Sequence, residues 1–441
     1  MIIGNGVLIT NDADNNFYDC GAVLVKDNVI EDIGTFEDIK AKYPNEEIVD
    51  VEGKIIMPGM ICAHSHIYSA YGRGMSTSQP ITDFYTVLEN QWWRLDKLLT
   101  TEDVKLNALT TYIESIRNGV TTLIDHHAGP NSVEGSLFTI REAALETGMR
   151  TSLCYEVTDR DGIEIAEKGI KENVDFIKAC QEDDKGDMIK ALFGIHASFT
   201  VSDDTLYKSR EAMEGVYDGY HVHVAEGIED QYECLEKHGK RVVNRLHDFD
   251  MLGPNTLAVH CAHVSQAEMD ILKHTNTKVV TNPESNMNNA IGAPPTIKMM
   301  EEGIVVGLGT DAYTNDMFES LKVANILQSH NVCKPSVGFM PAIEAQFKNN
   351  PIILAQYYNK PVGKLEKGAY ADLITLDYFP HTPINANNWY GHSVFGFTGR
   401  LVIDNMINGK FVMKNREIQN VDVDAIHAKS AERAAEVWKF M

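Results

Sequence analysis

The chain has 441 residues, 44% hydrophobic and 23% charged, so it is long enough for one large barrel or two to three domains and too ordinary in composition to default to disorder. Against 39 basic residues stand 63 acidic ones, a formal net charge of −24, and no stretch gathers Lys and Arg densely enough to track phosphates; nucleic acid and anionic membrane are poor partners. No run approaches the roughly 18 apolar residues of a membrane span, and the N-terminus lacks a basic region followed by an apolar one, so a cytoplasmic protein is expected.

In chain order, residues 1–56 carry short alternating runs ("GVLIT", "GAVLVKDNVIEDIG", "EEIVDVEGK") between Asn, Asp and Gly turns, a hairpin pattern. Eight β-rich apolar runs follow, near 55–64, 120–125, 150–157, 189–197, 220–226, 256–264, 277–286 and 304–311. Helical stretches separate them: one opens at Thr100–Asp103 and closes at Asn118–Gly119, and others span roughly 133–147, 163–181, 203–214, 228–247, 265–275 and 315–331. A second hairpin-like block occupies 363–418, so both flanks are expected to pair into one small sheet. The expected architecture is α/β: a (β/α)₈ TIM barrel over 58–362, a small β-sandwich domain built from 1–57 and 363–420, and a C-terminal helix at 421–441. A doubly wound open sheet is the competing architecture. Seven scattered cysteines, with no C-x-x-C pair, argue against a disulfide framework or a cysteine zinc site.

Barrel chemistry gathers at the C-terminal ends of strands, and the ends of these runs share a character. They carry His64 and His66, then Asp125, His126 and His127, then His196, His223 with Glu226, His260 with His263, and Asp311. Residues i and i+2 of a strand face one side, so His64 and His66 can reach the same ion. An isolated H-x-H pair is weak in a chain with 16 histidines. With His223 and Asp311 it makes three imidazoles and a carboxylate, a set that suits Zn²⁺ or Fe²⁺. His221 shares a side with His223 and competes as third ligand; His223 is preferred because Glu226 then stands beside a metal-bound water. Taken alone, that Glu reads as a helix-start acid.

Several residues keep two readings. Trp92 and Trp93 in "NQWWRLD" suit either a substrate wall or helix packing. Arg73 suits a substrate carbonyl or a solvated loop, and His126 and His127 suit substrate contact or support of the site. Asn282, Pro283, Ser285 and Asn286 read as shaping a loop.

Together "VEGKIIMPGMICAHSH", "NGVTTLIDHH", "GIHASFT", "HVHVAEG", "VHCAHV", "TNPESN", "GLGTDAYTND" and "KLEKGAYADLITLD" resemble the amidohydrolase superfamily over essentially the whole chain. The branch is that of cytosine and guanine deaminases, S-adenosylhomocysteine deaminases and triazine hydrolases, with SsnA-type aminohydrolases the most similar group. The resemblance implies one divalent ion, Zn²⁺ with Fe²⁺ as the alternative, held by His64, His66, His223 and Asp311. Glu226 would shuttle protons, His260 would orient the attacking water, and Asp311 would double as general base. His196, Arg73, His127 and Trp92 are the expected substrate contacts. Binuclear relatives carry a lysine at the end of the fourth strand; here Lys190 lies at its start, which favours one ion. A homodimer is expected.

The expected reaction is deamination of a purine-like or aminoimidazole-like heterocycle by attack of metal-bound hydroxide. Ring opening of a cyclic amide or imidazolone, or displacement of chloride or an amine, would use the same site. A silent metal-binding subunit is the reading from another class, and the presence of both Glu226 and Asp311 argues against it.

Overall fold

Ile55–Pro58 lies in a flanking sheet and Met60–Ser65 begins a set of parallel strands, so the chain changes sheets at Gly59. A Cβ there would lie 2.0 Å from Thr121, and only glycine lets the first strand come that close to its neighbour. These coordinates are a computed structural model describing residues 1–217 and 219–441.

The two flanks do share one sheet. It has nine strands, running from Glu417–Ile418 through Lys410–Lys414, Val402–Ile407, Leu373–Leu376, Ile55–Pro58 and Ile2–Ile9 to Phe17–Lys26 and Val29–Thr35. Its pairing is mixed rather than wholly antiparallel. The strand Ile2–Ile9 pairs in parallel with Ile55–Pro58 and with Ile48–Asp50, because the helix Phe36–Lys42 intervenes and returns the chain in the same direction.

All eight runs predicted as strands contain one, but the segment 189–197 is broken. Ile189–Ala191 ends a four-stranded parallel sheet that begins with Met60–Ser65, Val120–Asp125 and Arg150–Leu153. Phe193–Ala197 begins a five-stranded parallel sheet continued by Tyr220–Val224, Leu257–His260, Lys278–Thr281 and Val306–Leu308. Isolated parallel bridges join Val157 to Ile195 and Ser65 to Asp311. The architecture shown is thus mixed α/β, with two parallel sheets linked by these two single-residue bridges. Helices pack outside them. Thr101–Arg117 starts on a capping box between Thr100 and Asp103, as its hydroxyl and acid imply. The stretch 228–247 forms two helices, Ile228–His238 and Val242–Asp248, because Gly239 adopts φ +65° and ends the first. No helix among the described residues is long and apolar enough to cross a membrane.

Arg150, fully buried, ties the parallel strands to the flanking sheet: its Nε donates to Asp372 Oδ2 at 2.8 Å and its Nη2 to Asp372 Oδ1 at 3.2 Å. Removing one member of a buried ion pair strands the other. Arg150→Ala is expected to cost about 3–5 kcal/mol in urea unfolding, whereas the double change Arg150→Met with Asp372→Leu should recover most of it.

Candidate active site

The residues predicted at the strand ends converge. His64, His66 and Asp311 offer ligand atoms within 4.8 Å of one another, as do His64, His223 and His260, and again Glu226, His260 and Asp311. His66 Nε2 lies 3.2 Å from Asp311 Oδ1 and 3.2 Å from His223 Nε2. His64 Nε2 is 3.9 Å and His260 Nε2 3.6 Å from the same carboxylate.

Each of these imidazoles is held by its Nδ1, which aims Nε2 inward. His66 Nδ1 donates to the His126 carbonyl at 2.6 Å and His223 Nδ1 to the His196 carbonyl at 2.9 Å. His64 Nδ1 meets His221 Nε2 at 2.8 Å, and His260 Nδ1 meets Asn286 Oδ1 at 2.8 Å. His64 Nε2 and His260 Nε2 are buried without a hydrogen-bond partner. Orphaned inward nitrogens beside a buried carboxylate fit a borderline divalent cation such as zinc. Against the cost of burial, the hydrogen bond to Asp311 pushes His66 up to about 9, and the same contact, with the charges of His66, His260 and His223, holds Asp311 well below the usual carboxylate range. Ion binding here would release that proton.

Backbone strain marks the same strand ends. Ala225, His260, Cys261 and Asp311 all have positive φ, at +46°, +68°, +51° and +56°. Asp230 braces the first of these bends, accepting from Ala225 N at 2.9 Å, and burial pushes its carboxyl from 3.8 up to about 8. Between those values the folded chain holds a proton that the unfolded chain has lost, so this group lowers stability as pH rises through the window. Asp230→Asn is expected to remove that part of the fall in Tm between about pH 5 and pH 8, read by calorimetry.

Glu226 stands 3.6 Å from His260 Nε2, and burial pushes it up to about 7. Asp311 Oδ2 accepts from Ser285 Oγ at 2.6 Å. The loop Asn282–Asn286 therefore does more than shape the chain: it is a short helix, Pro283–Asn288, whose Ser285 holds Asp311 and whose Asn286 holds His260. Gly309 lies against the first strand, where a Cβ would stand 2.7 Å from the His64 carbonyl.

A cavity of about 40 Å³ opens beside this cluster, lined by His66, His223, Glu226 and Asp311 and walled by Trp92, Trp93 and His196. It is far smaller than the roughly 300–1,000 Å³ of ligand pockets, but a cleft of about 210 Å³ adjoins it through His66, Trp92 and Asp311, and the Phe84–Asp96 segment bears both tryptophans. That segment contains a π-helical turn, Leu88–Trp92, a feature common beside functional sites.

The structure separates the four expected substrate contacts. His196 lines the cavity, its Nδ1 tied to Thr200 Oγ1 at 2.7 Å, and Trp92 lines it too. Arg73 is exposed, pairs with Glu114 at 2.8 Å, and lies on a cleft that also reaches His66 and Asp311. His127 is fully buried and does not line the cavity. Lys190 pairs with Asp184 at 3.0 Å and with Asp187, at the start of its strand.

Sequence reasoning missed Glu156, buried and lining the cavity, and the support that His221, Ser285 and Asn286 give. "YHVHV" did carry a signal for His221, since the two histidines share a side. For Glu156 the signal was its place next to the end of the 150–157 run, where barrel chemistry gathers.

A model of the amidohydrolase family matches residues 55–412. Among curated relatives, the 5'-deoxyadenosine deaminase of Methanosarcina mazei is 30% identical over 99% of this chain and 98% of its own length. The 5-methylthioadenosine/S-adenosylhomocysteine deaminase of Syntrophomonas wolfei is 29% identical over 98% of each. Among solved structures, a zinc-bound adenosine deaminase from Xanthomonas campestris superposes with TM-score 0.87 at 19% identity, covering 99% of this chain and 98% of that one. The guanine deaminase of E. coli superposes with TM-score 0.80 at 19% identity, covering 94% and 99%. The chain belongs to the amidohydrolase family and is a hydrolase of C–N bonds.

Proposed function

We propose that the protein deaminates an amino-substituted, purine-like nitrogen heterocycle. One observation carries this reading: Glu226, His260 and Asp311 present proton-handling atoms within 4.8 Å of one another, against the His64, His66 and His223 cluster. The names of the full-length relatives, deaminases of adenosine analogues, support the substrate class.

A divalent ion held by His64, His66, His223 and Asp311 would acidify a water and so supply the nucleophile. His260, fixed by Asn286, orients that water through Nε2. Glu226 takes one proton of the water and delivers it to the ring nitrogen beside the attacked carbon, a task suited to a carboxyl pushed towards neutrality, and the water's second proton leaves with the amine as ammonia. Asp311, steadied by Ser285, is the second proton acceptor. We read one ion, Zn²⁺ or else Fe²⁺, because the lysine of the fourth segment is engaged by Asp184 and Asp187. The bridges Val157–Ile195 and Ser65–Asp311 support closure of the parallel strands into one (β/α)₈ barrel over 58–362, beside a sandwich of 1–57 and 363–420.

The test is ammonia release from a panel of amino heterocycles, including 5'-deoxyadenosine and guanine, with zinc-loaded protein and with chelated protein. Zinc-dependent ammonia is expected. Opening of a lactam or imidazolone without ammonia would replace this reading with ring hydrolysis at the same site.

A further inference from the structure

Glu156 is the buried acid that the chemistry above leaves unused. It follows the strand Arg150–Leu153, its backbone N–H donates to the His127 carbonyl at 2.9 Å, and the residue is 2% exposed, yet it lines the reaction cavity. One of its carboxyl oxygens comes within 4.8 Å of ring nitrogens of both His196 and His223.

Its two oxygens have different surroundings. Oε2 is buried without a hydrogen-bond partner of good geometry and faces His126 Nδ1 at 3.3 Å. The other nitrogen of that ring, Nε2, lies 3.1 Å from the His221 carbonyl, which can only accept, so Nε2 carries a proton. A carboxyl proton on Oε2 would give this contact its donor and leave Oε1 an acceptor. Arg160 Nη2 stands 4.0 Å from Oε1 and is engaged by Asp96.

We propose that Glu156 is a substrate-contacting residue whose Oε1 accepts a hydrogen bond from a ring N–H, so that the site selects lactam-type amino heterocycles over analogues with a ring lone pair there. This rests on the deaminase reading for its substrate class. A substrate N–H gives Oε1 a partner; a lone pair at that position leaves two acceptors facing each other in a buried site. Sites built to make one hydrogen bond reject analogues that cannot make it by large factors, here at least ~100-fold.

The experiment uses matched pairs: amino-oxo purines, pyrimidines and imidazolones, each against its O-methyl analogue, in which the ring N–H becomes a lone pair. Binding to zinc-loaded protein is measured by calorimetry, and ammonia release is followed separately. Wild type is expected to bind the N–H member of at least one pair ~100-fold more tightly. Glu156→Met, similar in length but with no oxygen to accept, should bring that ratio within about 5-fold through KM, with zinc content unchanged. A panel in which no N–H member is preferred overturns the proposal, even if Glu156→Met fails to fold. So does a preference that survives in Glu156→Met. Preferred binding without ammonia would instead retain the role of Glu156 and overturn the deaminase reading.

Discussion

Glu226→Gln is expected to lower kcat for ammonia release by about 10²–10⁴-fold, the range that a positioned proton carrier contributes, while zinc content stays that of wild type. The isostere keeps the volume beside His260 Nε2, 3.6 Å away, and removes only the ability to take and return a proton. The pH profile sharpens the expectation. Burial raises this carboxyl to about 7, so in the free enzyme its base form is lost as pH falls through that value, and kcat/KM should fall with it on the acid side. Retention of that acid limb in Glu226→Gln, or of wild-type kcat, would remove Glu226 from the mechanism.

The second large effect concerns which histidine of "YHVHV" is the ligand. His223→Ala is expected to lose zinc and activity together, and to lose the thermal stabilisation that saturating zinc confers, of the order of 4 kcal/mol at a thousandfold excess over Kd. His221→Ala should behave differently. His221 Nε2 meets His64 Nδ1 at 2.8 Å and acts through that ring, so its removal should weaken zinc affinity by about 10–100-fold and leave the ion bindable. Metal analysis after dialysis, with Tm as a function of added zinc, separates the two. Full zinc affinity in His223→Ala together with loss in His221→Ala would reverse the assignment.

The places where expectation and structure part company have local causes. The segment 189–197 reads as one strand because its apolar residues are continuous; Leu192 leaves the ladder where the chain passes from one parallel sheet to the other, yet its N–H still donates to the Leu153 carbonyl at 3.1 Å. The stretch 228–247 reads as one helix because its amphipathic period continues across Gly239, whose left-handed backbone ends the first helix. Glu156 was passed over although it stands next to the end of the 150–157 run. Here the strand Arg150–Leu153 has already ended, and the residue turns inward.

By itself the sequence determined the alternation of strands and helices, the shared inward face of His64 and His66, and the identity of the strand-end residues. These follow from local rules: side-chain period along a strand, capping chemistry, and the confinement of polar groups to loop ends. Only the tertiary structure decided which imidazole nitrogen faces the centre, that Ser285 and Asn286 brace Asp311 and His260, and that Glu156 enters the cavity. Those depend on hydrogen bonds between residues 26 to 157 positions apart, such as Ser285 to Asp311 and His64 to His221, and on burial that removes water as the competing partner.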